Sequence, residues 1–418
     1  MNKKFIALLT LLFLTLSSTM VSAAAQQEDE DEGDKQAFMS QQTYNRLSRV
    51  HKMIDEEAYG DALAELRDLA EDTLDRPYEH AVTLQTFGFV YINQENWRQA
   101  AQYLQRALDQ DALPKEPEKQ VVYALAQIYS QLEEYSKTIS LMTDYLQGAE
   151  NPPPDAFIIL ANAYAAQNQF TKAYPWVRKA TAAMEKPKKD WLNLQLGIQF
   201  ELKKFSEAAD TLEILTANWP DTKRYWQQLS GVYIELGKDN EALATLSMAY
   251  KKGFLETESE YLNLARLYML NDVPYQAGYV VEKAIDDGHI EAKQKNYELL
   301  SQAWIQAREY KKGIEALGKA AALTDDGELY LRQAQLFMSI ADWEGSMEAA
   351  EKAVEKGNMT QKKMGQAWLM RGTAASEAKN FDVAIAAFNK ARGYEDTRKQ
   401  ASQWLSFVRT EQEFSTLN

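Results

Sequence analysis

Three histidines, His51, His80 and His289, and no cysteine make up the whole supply of imidazole bases and soft ligands in the 418 residues. No two of the histidines stand four apart, the spacing that puts a pair of imidazoles on one helix face, so zinc and general-base chemistry are disfavoured. Without cysteine there is no thiolate nucleophile, no disulfide and no Cys-ligated zinc or iron–sulfur cluster. Gly313, Gly318, Lys319 and Ala320 match a phosphate-binding loop up to its last position, where Ala320 stands in place of the Ser or Thr that would ligand magnesium. Adjacent carboxylates such as Glu133 and Glu134 have no local partner that would raise a pKa for glycosidase work. The dense run Glu28, Asp29, Glu30, Asp31, Glu32 and Asp34 lacks the spaced ligands and closing Glu of a calcium loop. The chain reads as a non-enzyme with no cofactor and no metal.

The elements that would position any such residues are repetitive. From Lys223 onward, Trp226, Leu229, Ser230, Tyr233, Gly237, Ala242, Leu246 and Ala249 place a large residue, a small one, an aromatic and then alanines at helical spacing. The register recurs in Leu84, Phe87, Gly88, Tyr91, Trp97, Ala100, Leu104 and Ala107, and again in Leu160, Ala161, Tyr164, Phe170, Ala173, Val177 and Ala180. Units start near Thr43, Ala81, Lys119, Pro154, Asp190, Lys223, Glu258, Gln294, Gly327 and Gly365. This pattern resembles the tetratricopeptide (TPR) repeat, whose period is about 34 residues. The resemblance implies an all-α superhelical solenoid of about ten helical hairpins.

Each position then has a physical task, because one hairpin cannot cover its own apolar face and must stack on the next. Small residues, such as Gly88 with Ala100 and Ala161 with Ala173, let the two helices of a hairpin approach. The aromatics Tyr91, Tyr129, Tyr164, Phe200, Tyr233, Tyr268, Trp304 and Phe337 read as packing rather than as a ligand box. Pro77, Pro114, Pro117, Pro152 to Pro154, Pro187 and Pro220 fall between units, where a helix must stop. Pro274 is expected in a turn inside a hairpin, and Pro175 early in a second helix, where it would shift or kink it. The fifth unit is one residue short between Gly197 and Phe205. The solenoid is expected over residues 43–395, followed by a capping helix over 396–414 carrying Trp404, Leu405 and Val408.

Ahead of the repeats, Lys3 and Lys4, the apolar run Phe5 to Leu16 and the small residues Val21 to Ala25 read as a secretory signal peptide over residues 1–25. Its apolar run is too short for a bilayer, which takes roughly 20 residues, so no span is expected after cleavage. Residues 26–42 read as an acidic, disordered leader. The formal net charge of −15 argues against nucleic acid and anionic membrane surfaces as partners.

In TPR proteins the concave surface is lined by the first helices, and carried onto this register it gives Gln85, Phe89, Asn93, Tyr123, Gln127, Gln131, Ile158 and Asn162. None of the eight is charged. Amides can bond the backbone of an extended peptide while apolar groups hold its side chains. The TPR class that grips a C-terminal carboxylate needs lysines at groove positions, which are lacking here. Protein partners are therefore expected, and the oligomeric state is open.

Several runs resemble a narrower group, the secreted TPR proteins associated with TonB-type energy-transduction systems of Gram-negative bacteria. They are Leu84-Gln85-Thr86, Glu150-Asn151-Pro152-Pro153, Arg224-Tyr225-Trp226 leading to Leu229-Ser230-Gly231, Val273-Pro274-Tyr275 and Asp325-Asp326-Gly327-Glu328. What the resemblance implies is a periplasmic accessory of that transport machinery, with TonB-system components as partners. An envelope-assembly adaptor for cell-wall, polysaccharide or outer-membrane machinery, or a periplasmic holdase, are the alternatives for the same architecture.

Overall fold

Amphipathic segments separated by helix stops fold here into consecutive hairpins. The computed structural model describes residues 38–417, with side chains through residue 413. The signal peptide and residues 26–37 of the acidic leader lie outside the described residues, and the leader's last residues, 41–42, are helical at the start of Gln41–Asp55. The chain divides into two compact units, Met1–Thr211 and Leu212–Asn418. In the first, helices run α1 (Gln41–Asp55), α2 (Tyr59–Asp72), α3 (Pro77–Asn93), α4 (Trp97–Leu108), α5 (Lys115–Gln131), α6 (Tyr135–Gly148), α7 (Pro154–Ala166), α8 (Phe170–Ala182) and α9 (Lys189–Glu201). The boundary falls within α10 (Phe205–Asn218). The second unit continues with α11 (Lys223–Glu235), α12 (Asp239–Lys251), α13 (Glu258–Leu270), α14 (Pro274–Asp286), α15 (Gln294–Gln306), α16 (Tyr310–Ala322), α17 (Glu328–Ser339), α18 (Trp343–Lys356), α19 (Gln361–Glu377), α20 (Phe381–Ala391) and α21 (Arg398–Leu417). Odd-numbered helices up to α19 open a hairpin and even-numbered ones close it. Each unit is a TPR-like solenoid stack.

All ten first helices end in the same way. One residue per turn takes a left-handed backbone, in order Glu57, Glu95, Glu133, Asn168, Lys203, Gly237, Asp272, Arg308, Ala341 and Lys379. Its amide bonds back to the helix and the next amide reaches one residue deeper, as in Glu95 N to Ile92 O at 2.9 Å and Asn96 N to Tyr91 O at 2.8 Å. This pair of bonds is the Schellman motif, which satisfies carbonyls that the helix end would otherwise orphan. The deeper acceptor is the carbonyl of the repeat aromatic in Tyr91, Tyr129, Tyr164, Tyr233, Tyr268, Trp304 and Phe337. In the fifth hairpin it is Gln199 instead of Phe200, the local consequence of the missing residue.

Small residues hold the hairpins tight. A Cβ on Gly88 would lie 2.5 Å from Leu104 Cδ2, and Ala161 and Ala173 are both fully buried. Where serine takes the small position it donates across the seam, Ser301 Oγ to Gly313 O at 2.7 Å and Ser346 Oγ to Ala334 O at 3.0 Å. Instead of one central core, apolar residues form successive clusters between neighbours, such as Leu66, Leu69, Phe87 and Val90, then Leu104, Val121, Leu125 and Ile128. The last cluster is closed by α21, whose Ala401, Leu405 and Val408 are buried and whose Trp404 stacks on Phe388 at 5.7 Å.

Some local details differ from the sequence expectation. Pro274 is the first residue of α14 and not a turn residue, because proline's fixed φ suits the first helical position, where no N–H bond is lost. Pro175 sits within α8, which continues to Ala182. Helices α3, α5 and α19 begin four residues before the unit starts read from the repeat, each being 17 residues long. The added turn precedes the residues that carry the pattern, which is why the pattern alone does not register it.

Polar links between neighbouring hairpins recur at nearly the repeat separation. In the first unit the buried Glu79 takes the Thr43 hydroxyl, the Ser40 amide at 2.9 Å and Arg76 at 2.5 Å. In the second, Glu258 at the start of α13 receives Lys293 at 2.9 Å and Asn296 Nδ2 at 3.2 Å from the start of α15, together with the Glu291 amide at 3.3 Å. Bonding to Lys293 and then Asn296 pulls the Glu258 carboxyl down to about 2 from an ordinary 4.5. A carboxyl whose folded pKa is depressed contributes stability above its unfolded value, and that stability is lost as pH falls from 4.5 toward about 2. Melting temperatures followed from pH 6 down to pH 2 should therefore drop more steeply for the native chain than for Glu258→Gln, which starts lower and changes less. Equal slopes would show that the link contributes nothing to acid sensitivity.

Candidate functional site

The eight residues read as a lining are brought together on the neighbouring first helices α3, α5 and α7, all within the first unit. Their depth differs. Gln131 and Asn162 are exposed, and Phe89 and Asn93 are half-buried. Gln85, Tyr123, Gln127 and Ile158 are buried. The earliest member of each set, Gln85, Tyr123 and Ile158, is enclosed, and so is the later Gln127, whereas Phe89, Asn93, Gln131 and Asn162 reach the surface in part or fully. Helix α3 shows why: it is apolar around most of its circumference, with Leu84, Phe87 and Val90 but also Thr83, Gln85 and Thr86 enclosed.

Local bonding sets the orientation of these groups. Asn93 Nδ2 donates to Phe89 O at 3.1 Å, which turns the amide back onto its own helix. Tyr123 lies 5.1 Å from the Tyr145 ring. Burial, followed by the Asp155 and Tyr145 charges, pushes the Tyr123 phenol well above its ordinary range, while a bond from Gln127 acts in the opposite direction. Gln85 Nε2 is enclosed without a hydrogen-bond partner. The same holds for Gln120 Oε1, Gln199 Oε1, Gln228 Oε1, Trp304 Nε1 and Arg371 Nε. Every one of these six atoms belongs to a first helix. Two of the six, Gln85 Nε2 and Gln120 Oε1, lie on helices that carry the candidate face, α3 and α5.

The residues that resembled a phosphate loop are helical throughout, within α16. Gly313 faces Ile305, where a Cβ would meet Cγ1 at 2.7 Å, and Gly318 faces Gln333. Their glycines serve hairpin packing, and a continuous helix offers no cradle of free amides. Among the described residues there is no group of three or more His, Asp or Glu side chains placed to hold a metal ion. No helix among them is long and apolar enough to cross a membrane.

His80 was not singled out by its spacing, yet it is buried and within 3.2 Å of the Thr73 hydroxyl. Burial and then the Arg106 charge lower its pKa. A neutral, hydrogen-bonded imidazole joining α2 to α3 is a packing element, and it lies away from the exposed amides Gln131 and Asn162.

Residues 331–399 match the family model described as Tetratricopeptide repeat. Similar solved structures include the MamA protein, at 20% identity over 43% of this chain and 96% of that one with a TM-score of 0.31. A tetratricopeptide repeat protein from Parabacteroides merdae is similar at 14% identity over 62% of this chain and 99% of that one, with a TM-score of 0.30. The C-terminal part of a TPR repeat-containing protein from Cytophaga hutchinsonii is similar at 14% identity over 68% and 99%, with a TM-score of 0.26. No curated protein matches the chain.

Proposed function

We propose that this tetratricopeptide-repeat chain is a non-catalytic scaffold that binds an extended segment of a partner protein along its first helices, as an accessory of a TonB-type energy-transduction system in the periplasm. The observation that carries the binding mode is the uncharged edge formed by Phe89, Asn93, Gln131 and Asn162 in a chain of net charge −15. Amides there offer donors and acceptors to a partner's backbone, and Phe89 offers apolar contact. Support for the partner and compartment comes from the resemblance carried by Leu84-Gln85-Thr86, Val273-Pro274-Tyr275 and their companion runs, together with the signal-like residues 1–25.

The edge has a direct test. Gln127 is buried, so its removal would disturb packing; the exposed pair Gln131 and Asn162 is the cleaner probe. Gln131→Ala with Asn162→Ala should leave the melting temperature within about 2 °C, since exposed substitutions cost within about 0.5 kcal/mol, and weaken partner capture about tenfold. Capture would be read by crosslinking in cells and mass spectrometry. Enrichment of TonB-system components that falls in the double variant supports the proposal. Their absence, with siderophore-dependent growth unaffected by deletion, overturns the partner assignment, and unchanged capture by the variant overturns the edge.

A further inference from the structure

Two enclosed amide atoms on the helices of the proposed edge have nothing to bond. On α3 the buried Thr83 and Thr86 turn their hydroxyls back onto the carbonyls of Glu79 and Val82, at 2.8 Å each. Asn93 does the same with Phe89. Gln85, only 4% exposed, has no such outlet for Nε2. It shares a helix face with Phe89 and Asn93, at successive steps of four residues. On α5 the half-buried Gln120 holds Oε1 enclosed and without a partner, and it shares a face with Tyr123, Gln127 and Gln131 at steps of three and four. Val82 and Phe89 of α3 pack on the cluster that contains Val121 and Ala124 of α5, so side chains of both helices share one packed layer. One helix therefore carries a donor, and the next an acceptor, that the fold leaves unmade. A buried polar atom in that condition is destabilising, and the pair favours whatever supplies both complements. A peptide backbone does so, with its carbonyl and its N–H. An ionised group would have to shed its hydration beside two neutral atoms, and a carboxylate would also face the chain's net charge of −15.

We infer that Gln85 and Gln120 read the backbone of an extended, locally uncharged segment, Gln85 Nε2 donating to one of its carbonyls and Gln120 Oε1 accepting from one of its N–H groups. The assignment rests on the edge proposed above and deepens it: the exposed Gln131 and Asn162 supply surface contact, and the enclosed pair fixes where the backbone lies. Phe89, half-buried and one turn beyond Gln85, is the side chain that turns aside to admit it. Rotamer changes of that kind are common at interfaces.

The probe is a twelve-residue peptide selected from a random phage-displayed library against the full chain and measured by fluorescence titration. A selected peptide that Gln131→Ala with Asn162→Ala weakens about tenfold lies on the edge and is carried forward. Gln85→Met keeps the side chain's length and removes the unmade donor; it should raise the melting temperature by about 2 °C or more while weakening that peptide about tenfold. Gln120→Met should weaken it comparably. Against the native chain, N-methylation of the peptide one residue at a time should find a position that costs about tenfold, and there the loss should shrink below about twofold in Gln120→Met, because the bond is already gone. That coupling does not involve a change at Gln85, so it stays readable if Gln85→Met folds poorly. An edge-dependent peptide that binds Gln85→Met and Gln120→Met as tightly as the native chain overturns the inference and leaves the edge standing. Selected peptides that are all indifferent to Gln131 and Asn162 overturn the edge and the inference with it. A lower melting temperature in Gln85→Met with binding unchanged assigns that amide to packing and overturns the inference as well.

Discussion

Trp304→Ala should destabilise the second unit by about 3–5 kcal/mol, the usual cost of truncating a large aromatic in a core. Trp304 is fully buried and is the largest of the enclosed side chains. Its ring is seated against Gly278, where any Cβ would lie 2.7 Å from Cδ2. Tyr275 meets it edge-on at 5.2 Å, and Lys312 Nζ stands 4.2 Å from its centroid. Removing the ring therefore leaves a void between α14 and α15 that glycine cannot fill. Trp304→Phe should cost less, because the lost area is smaller and the indole N–H it removes has no partner to lose. Chemical denaturation would rank the two, and amide exchange would locate the damage. Since solenoids transmit stability mainly to neighbours, protection should fall in α13 to α16 while α3 to α5 keep theirs. Uniform loss of protection would contradict a core built of successive clusters.

Gly327→Val is expected to have the other large effect, at or beyond the upper end of the roughly 1–3 kcal/mol that overpacking costs. A Cβ at this position would lie 2.1 Å from the carbonyl oxygen of Ala353. That atom is backbone, so no side-chain rotation relieves the clash. The Gly327 amide also donates to Gly357 O at 2.9 Å, a bond that ties the entrance of α17 to the end of α18. Any shift that makes room for a side chain pulls this bond apart. Gly60 supplies the contrast, being exposed near the start of α2 with nothing within 4 Å of its Cβ position. A melting temperature for Gly327→Val equal to that of Gly60→Val would show that the close approach is not under constraint.

Much of this architecture was legible in residue types, and the reasons are local. A proline between units suits the first turn of a helix, where Pro77, Pro117 and Pro154 stand, and a Gly facing a Leu, as with Gly88 and Leu104, records how closely two helices must pass. The aromatic before seven of the turns holds the deeper turn bond with its carbonyl, and the rings of Tyr129, Tyr233 and Trp304 are buried. The candidate edge was less legible. Gln85, Gln127 and Tyr123 carry polar atoms and so read as surface, yet all three are buried; Tyr123 packs with Met142 and Tyr145 of α6 and Ile159 and Leu160 of α7, residues distant in sequence that leave no mark at the position itself. Gln131, the last residue of α5, and Asn162, within α7, stay exposed. The extra opening turn of α3 and α5 escaped for a related reason: a repeat pattern defines what is shared between units, and an addition to some of them is by nature not shared.

The turn that closes each hairpin bears on how such a chain can change over generations. Left-handed backbone favours glycine, yet nine of the ten turns place a different residue there, among them glutamate, lysine, arginine and alanine. The paired amide bonds to the helix end, repeated in all ten, are what specify the bend, and a penalty of about 1 kcal/mol for each side chain is absorbed by them. A copied repeat can then drift at its turn residue without losing its hairpin, while its inward-facing small residues cannot drift in the same way. Divergence after duplication is thereby channelled toward turns and exposed edges, the places where one unit can come to meet a partner that its siblings do not.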